Sequence, residues 1–219
     1  MPALRIICNK DRFAGRSCTQ LRLLLAMIPM LLTACVAFAQ TFQWNWRESQ
    51  ELSAGQSLRN SKVTKIERQL LVSVIADQLK STMDDVDDAS EEQLQKAVLD
   101  SRIEKVDLNG DGNPEIIVQA MLQCSPTGNC PFLIFQGVAH GYKLLLNGYG
   151  QTFTIQKNRT NGFRDVVVAG HGSATESMLT VYHYELGKYI DVACYEAVWS
   201  GVETGSNRQL KDPRISPCR

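Results

Sequence analysis

The run Asp107-Leu108-Asn109-Gly110-Asp111-Gly112-Asn113-Pro114-Glu115 places oxygen-bearing side chains at positions 1, 3, 5 and 9, with glycine at position 6. This is the chemistry of a hard cation. Ca2+ takes about six to eight oxygens at about 2.3–2.6 Å, and a loop wrapped around it must alternate ligands with residues that point away. Asp107, Asn109 and Asp111 alternate in that way. Gly112 permits the positive φ of a sharp turn, and Pro114 biases Asn113 toward extended backbone, so that the Asn113 carbonyl precedes Glu115 in the ligand order. The three carboxylates repel one another without a counter-ion, so a structural Ca2+ is expected to order the loop. The competing reading is a metal-free turn whose Asp and Asn side chains satisfy their own backbone. An EF-hand is excluded, because position 12 holds Val118 where that loop needs Glu.

With Asp107, Asn109, Asp111, Gly112 and Glu115 followed by Ile116-Ile117-Val118, the stretch resembles the calcium loop of the FG-GAP repeats of integrin-type propellers and of the related VCBS repeats. The last ligand is Glu where those repeats carry Asp. The resemblance implies a single calcium loop with these ligand roles. It covers too little of the chain to imply a propeller, which needs several four-stranded blades. From Asp107 to Tyr189 the chain also resembles small exported bacterial proteins that carry one such loop, a Cys-rich hairpin and a Thr-Asn-Gly-aromatic-Arg-Asp stretch, here Thr160 to Asp165. That resemblance implies no defined activity.

Catalytic constellations are weaker. His171 lies two residues before Ser173, but there is no Gly-x-Ser-x-Gly elbow, and closeness in sequence is not the geometry that a triad needs. His183 alternates with Tyr182 and Tyr184 and reads as a residue on a strand face. Glu176 with Asp165 or Asp191 would make a carboxylate pair of glycosidase type, a combination that most domains of this size contain. Asp84, Asp85, Asp87, Asp88, Glu91 and Glu92 form an acidic cluster, yet Ser90 and Gln93 have the spacing of a capping box, and acids in a first helical turn favour the positive dipole end. No phosphate-cradling glycine loop is present.

The compartment is read from both ends of the chain. Residues 1–22 are basic, Leu23 to Val36 is apolar apart from Pro29 and Thr33, and Ala37-Phe38-Ala39 precedes Gln40: a secretory signal peptide over 1–39. The apolar run is shorter than the roughly 20 residues that a membrane-spanning helix needs. Leu32-Thr33-Ala34-Cys35 resembles a bacterial lipobox, so lipidation at Cys35 is the alternative to cleavage after Ala39. The leader holds five of the 23 basic residues and one of the 23 acidic ones, leaving a processed chain about four charges negative. That balance, without a basic stripe, argues against nucleic-acid binding. The remaining cysteines, Cys124, Cys130, Cys194 and Cys218, are even in number and read as disulfides in an oxidising compartment. Of three connectivities the most local joins 124 with 130 and 194 with 218, and the turn chemistry of Ser125 to Asn129 favours the first bridge.

These residues must be positioned by a scaffold, and the pattern predicts one of the α+β class: a short N-terminal helical segment followed by a mainly antiparallel β-sheet domain. Phe42, Trp44 and Trp46 alternate as on a strand within an N-terminal strand and linker over 40–60. Val63, Ile66, Leu70 and Val74 with Leu71, Ile75 and Leu79 form a helical stripe. From 101 to 200, eight short apolar runs alternate with turn signals such as Gly110-Asp111-Gly112, Asn147-Gly148, Asn161-Gly162 and Leu186-Gly187, which implies hairpins. The expected organisation is one domain over 61–200 and a polar tail over 201–219. The reading that follows is an exported, non-enzymatic, calcium-binding module, periplasmic or lipid-anchored at the outer membrane. It would present loops to a protein or glycan partner in the envelope, with Trp44, Trp46, Tyr149 and Phe163 as a possible binding face, and would touch membrane only through a lipid on Cys35. The alternative is an envelope hydrolase, or an inhibitor of a cell-wall hydrolase.

Overall fold

The computed structural model describes residues 50–51, 55–81, 90–122, 124–199 and 213–218. Cys35, Trp44, Trp46, the leader and the acids Asp84 to Asp88 lie outside them. The described elements are β1 (Gln50–Glu51), β2 (Gln56–Ser57), a 3-10 turn (Leu58–Asn60), α1 (Lys65–Ser81), α2 (Glu91–Asp100), β3 (Arg102–Val106), β4 (Glu115–Gln119), β5 (Cys130–Val138), β6 (Gly141–Gly150), β7 (Thr152–Thr160), β8 (Phe163–Ser173), β9 (Glu176–Glu185), β10 (Lys188–Val198) and β11 (Arg214–Pro217). Among the described residues the protein is mostly β with two α-helices, and every strand pairing is antiparallel.

The strands form two sheets where the sequence suggested one. The first has the order β2-β3-β4-β5-β6, the second β1-β7-β8-β9-β10-β11. The five-stranded sheet is covered on both faces, and the alternation along β4 and β5 divides them. Ile116, Val118, Leu133 and Phe135 meet the helices through Leu71, Ile75, Leu79, Leu94 and Val98. Ile117, Phe132 and Ile134 face the second sheet through Phe153, Ile155, Val166 and Val168. Such double burial is why β4 reads as an unbroken apolar run rather than an alternating one.

On α1 the buried face is Leu71, Ile75, Ala76 and Leu79, while Ile66 and Leu70 are exposed, so the stripe expected from spacing is narrower than the sequence suggests. The helix begins at Lys65, and Glu67 in its first turn binds Lys105 of β3 at 2.6 Å and accepts from the Tyr142 hydroxyl of β6 at 3.3 Å. Ser90 caps α2 through a complete capping box with Gln93, as the spacing predicted. Asn147 and Gly148, a turn signal in the sequence, lie inside β6, where Asn147 pairs with Leu133 and Gly148 with Phe132. The hydrophobic pair Leu145 and Leu146, buried beside them, keeps the strand running. The chain crosses between sheets after β6, at Gly150. A β-carbon there would lie 2.5 Å from Val168 Cγ1 and 2.8 Å from the Ala169 carbonyl oxygen, so the crossing accommodates only glycine without displacement.

The disulfides are Cys124–Cys130 and Cys194–Cys218, with Cα atoms 4.1 and 5.3 Å apart. The second ties β11 to β10, so the C-terminal residues from Arg214 form an edge strand of the second sheet. Among the described residues no helix is long and apolar enough to cross a membrane.

Candidate metal centre

Val106 pairs with Glu115 at the end of the β3–β4 ladder, and the residues between them make the loop. Leu108, fully buried, plugs the loop into the core between the two sheets. Its N–H donates to Glu115 Oε2 at 2.9 Å. Its carbonyl accepts from the Arg164 N–H and from Arg159 Nη1, each at 2.9 Å, so the loop of one sheet is bound to the β7–β8 hairpin of the other.

Around this anchor the acidic and amide side chains curl inward. Asp107 accepts from the Gly110 N–H at 2.7 Å and the Gly112 N–H at 3.0 Å. Asn109 Oδ1 accepts from the Asp111 N–H at 2.9 Å, and Asp111 Oδ1 from the Asn113 N–H at 2.7 Å. Gly110 and Gly112 take φ of 80° and 84°, the positive values that the turn requires. The Asn109 amide nitrogen donates to Asp111 Oδ2 at 2.9 Å and approaches Glu115 Oε1 at 3.5 Å. One amide therefore links two carboxylates that would otherwise repel.

Glu115 is buried, and Gln136 Nε2 also stands 3.5 Å from its Oε1. Desolvation pushes its carboxyl above the usual range; the Leu108 N–H opposes this, while Asp111 and Asp107 add to it. Asp107 moves the other way. Partial desolvation would raise it, but the N–H groups of Gly112, Gly110 and Asp111, together with the Arg159 guanidinium, hold it below the ordinary value.

The donor set fits a hard divalent cation in chemistry. Each carboxylate oxygen carries two lone pairs and the backbone bonds use one, so an Asx-turn network and metal ligation are compatible. The Asp111 N–H fixes the Asn109 amide with Oδ1 as its acceptor, so the lone pair of Oδ1 left over from that bond is what Asn109 can offer a cation. Among the described residues no three Asp, Glu, His or Cys side chains are already gathered to hold a metal, so ligation would draw on Asn109 and the Asn113 carbonyl as well as on the acids.

Of the other residues singled out in the sequence, Tyr149 is exposed, whereas Phe163 is buried and stacks on Tyr184 with ring centroids 3.8 Å apart. Phe163 is thus removed from the binding face: at the first position of β8 its ring turns into the core between the sheets. Asp165 is buried beside His183, with Oδ2 3.6 Å from Nε2, while Glu176 starts β9 near Ser173. Glu176 is therefore separated by most of a strand from Asp165, and from Asp191, which pairs with Tyr182. His171 Nδ1 stands 3.5 Å from the Ser177 hydroxyl rather than from Ser173. The residues that sequence reasoning missed are Arg159, whose only visible signal was its place in an Asn-x-Thr triplet, and Tyr189, whose hydroxyl donates to the Arg164 carbonyl at 2.8 Å. Burial pushes the Tyr189 phenol up, and Glu115 and Asp165 add to the shift, so the polar neighbourhood of the loop extends into the second sheet.

No family model, curated protein or solved structure matches the chain.

Proposed function

We propose that the protein is an exported, non-enzymatic calcium-binding module that presents strand-connecting loops to a protein or glycan partner in the cell envelope. One observation carries this reading: the buried Glu115 carboxylate is held by the Leu108 N–H with its other oxygen toward the Asn109 side chain, in a loop whose other ligand candidates are all oxygens. Bound there, Ca2+ would supply the positive charge that offsets the mutual repulsion of Asp107, Asp111 and Glu115. Asp107, Asn109, Asp111 and Glu115 would hold it, with the Asn113 carbonyl. The disulfides support an oxidising compartment. Two hairpin turns share the end of the second sheet that binds the loop of the first: Asn161-Gly162, and Leu186-Gly187, where Leu186 is fully exposed at a φ of 49°. Asn161 Nδ2 ties the first turn to the Tyr184 carbonyl at 2.8 Å. These turns replace Phe163 as the surface offered to a partner.

The test is thermal melting of the oxidised protein in metal-free buffer and across a calcium series, beside an Asp107→Ala/Asp111→Ala double variant. At 100 times its dissociation constant an ion stabilises by about 2.7 kcal/mol, a rise of several degrees that the double variant must lack. Identical melting with and without millimolar calcium sinks the reading. The second reading, an envelope hydrolase, rests on the His171–Ser177 approach; a fluorophosphonate probe that labels wild type but not Ser177→Ala would establish it.

A further inference from the structure

We propose that Arg159 is a built-in counter-charge that holds the affinity of the 107–115 loop for divalent cations down, making the loop a responder to high calcium rather than a permanent holder of the ion. This rests on the calcium reading above. Arg159 belongs to β7 in the second sheet, yet its guanidinium lies against the loop: a β-carbon on Gly110 would stand 3.7 Å from Nη2 and 3.8 Å from Nη1. The group cannot swing away freely, because Nη1 donates both to the Leu108 carbonyl at 2.9 Å and to the Gly162 carbonyl at 2.8 Å. A planar guanidinium held by two carbonyls is a fixed charge, where lysine on a flexible stem would be a mobile one. The charge thus stands beside Gly110, between the ligand candidates Asn109 and Asp111.

Arg159 and an incoming cation therefore compete for the same carboxylate field, and the cation must bind within a Debye length of a fixed positive charge. The loop does not depend on Arg159 for its attachment. The Arg164 N–H keeps the Leu108 carbonyl, and Glu115 keeps the Leu108 N–H. Neutralising residue 159 should then raise affinity instead of dismantling the site, on the order of fivefold for one unit charge beside a divalent ion in a partly solvated loop.

Isothermal titration of calcium into the oxidised wild type, Arg159→Gln and Arg159→Lys, at fixed ionic strength, decides the matter. The expected result is tighter binding by Arg159→Gln, with Arg159→Lys between it and wild type. Equal or weaker binding by a folded Arg159→Gln overturns the role of Arg159 while leaving the calcium site standing. No binding by the wild type overturns both. If Arg159→Gln fails to fold by circular dichroism, Arg159→Lys carries the test: a charge released from Leu108 and Gly162 must bind calcium more tightly than wild type, and equal or weaker binding overturns the proposal.

Discussion

The carbonyl oxygen of Leu108 accepts a hydrogen bond from the backbone N–H of Arg164 at 2.9 Å, joining the β3–β4 loop of one sheet to β8 of the other. The side chain of the same residue fills the core between those sheets. Whatever orders the loop therefore also orders the contact between the sheets.

Leu108→Ala should be the most damaging single truncation in the loop. It removes a fully buried side chain, for which cavity formation costs about 2–5 kcal/mol. Denaturant unfolding should show a lower midpoint with an unchanged slope, and calcium should recover only part of the loss.

Glu115→Gln separates charge from shape. The amide oxygen still accepts from the Leu108 N–H, but the buried carboxylate charge is gone. In metal-free buffer at pH 7 the variant should melt at or above wild type, and its calcium response should vanish. The sign with pH follows from the raised pKa of Glu115. A carboxyl whose folded pKa exceeds its unfolded value contributes stability below the unfolded pKa and loses it as pH rises through the folded one. The advantage of Glu115→Gln without metal should therefore shrink as pH falls through the Glu115 titration. An advantage that grew on acidification would refute the assignment.

Asn129 sits in the Cys124–Cys130 loop and grips the backbone of His171 twice: Nδ2 donates to the His171 carbonyl at 3.0 Å, and Oδ1 accepts its N–H at 2.7 Å. Asn129→Ala leaves both groups to find water and should cost about 1–3 kcal/mol. Amide exchange should accelerate at His171 more than at Val166 in the strand centre.

At Gly150 the β-carbon of alanine meets the Ala169 backbone as well as Val168. Gly150→Ala should lower the melting temperature markedly, whereas Gly137→Ala, where nothing lies within 4 Å of the added carbon, should not. Equal effects of the two would show that crowding at the crossing is unimportant.

Much of this was legible in advance. The four-residue spacing of Leu71, Ile75 and Leu79, the Ser90–Gln93 capping box and the most local disulfide pairing all rest on short-range rules, and the structure keeps them. The division into two sheets was not legible, because the turn signals that separate strands say nothing about which sheet a strand enters; that depends on the Gly150 crossing and on side-chain packing. The burial of Phe163 was hidden for a related reason: it follows a glycine turn and is polar on both sides in sequence, but Tyr184 and Tyr189, more than 20 residues on, enclose its ring. Arg159 was invisible as part of the candidate site because its partners, Leu108 and Gly162, include one from the other sheet.

The Gly150 crossing also divides the chain in time. Residues 56–150 supply the whole five-stranded sheet, and residues 152–217 supply all but one strand of the other. A chain threaded outward from its N-terminus can complete the first sheet early, but with Ile117, Phe132 and Ile134 bare until β7 and β8 arrive to cover them. During that interval the nascent protein offers an adhesive apolar face, a hazard that partly folded multi-element chains share. Strand β1 waits longest, since its partners Thr154 and Ile155 lie about a hundred residues downstream.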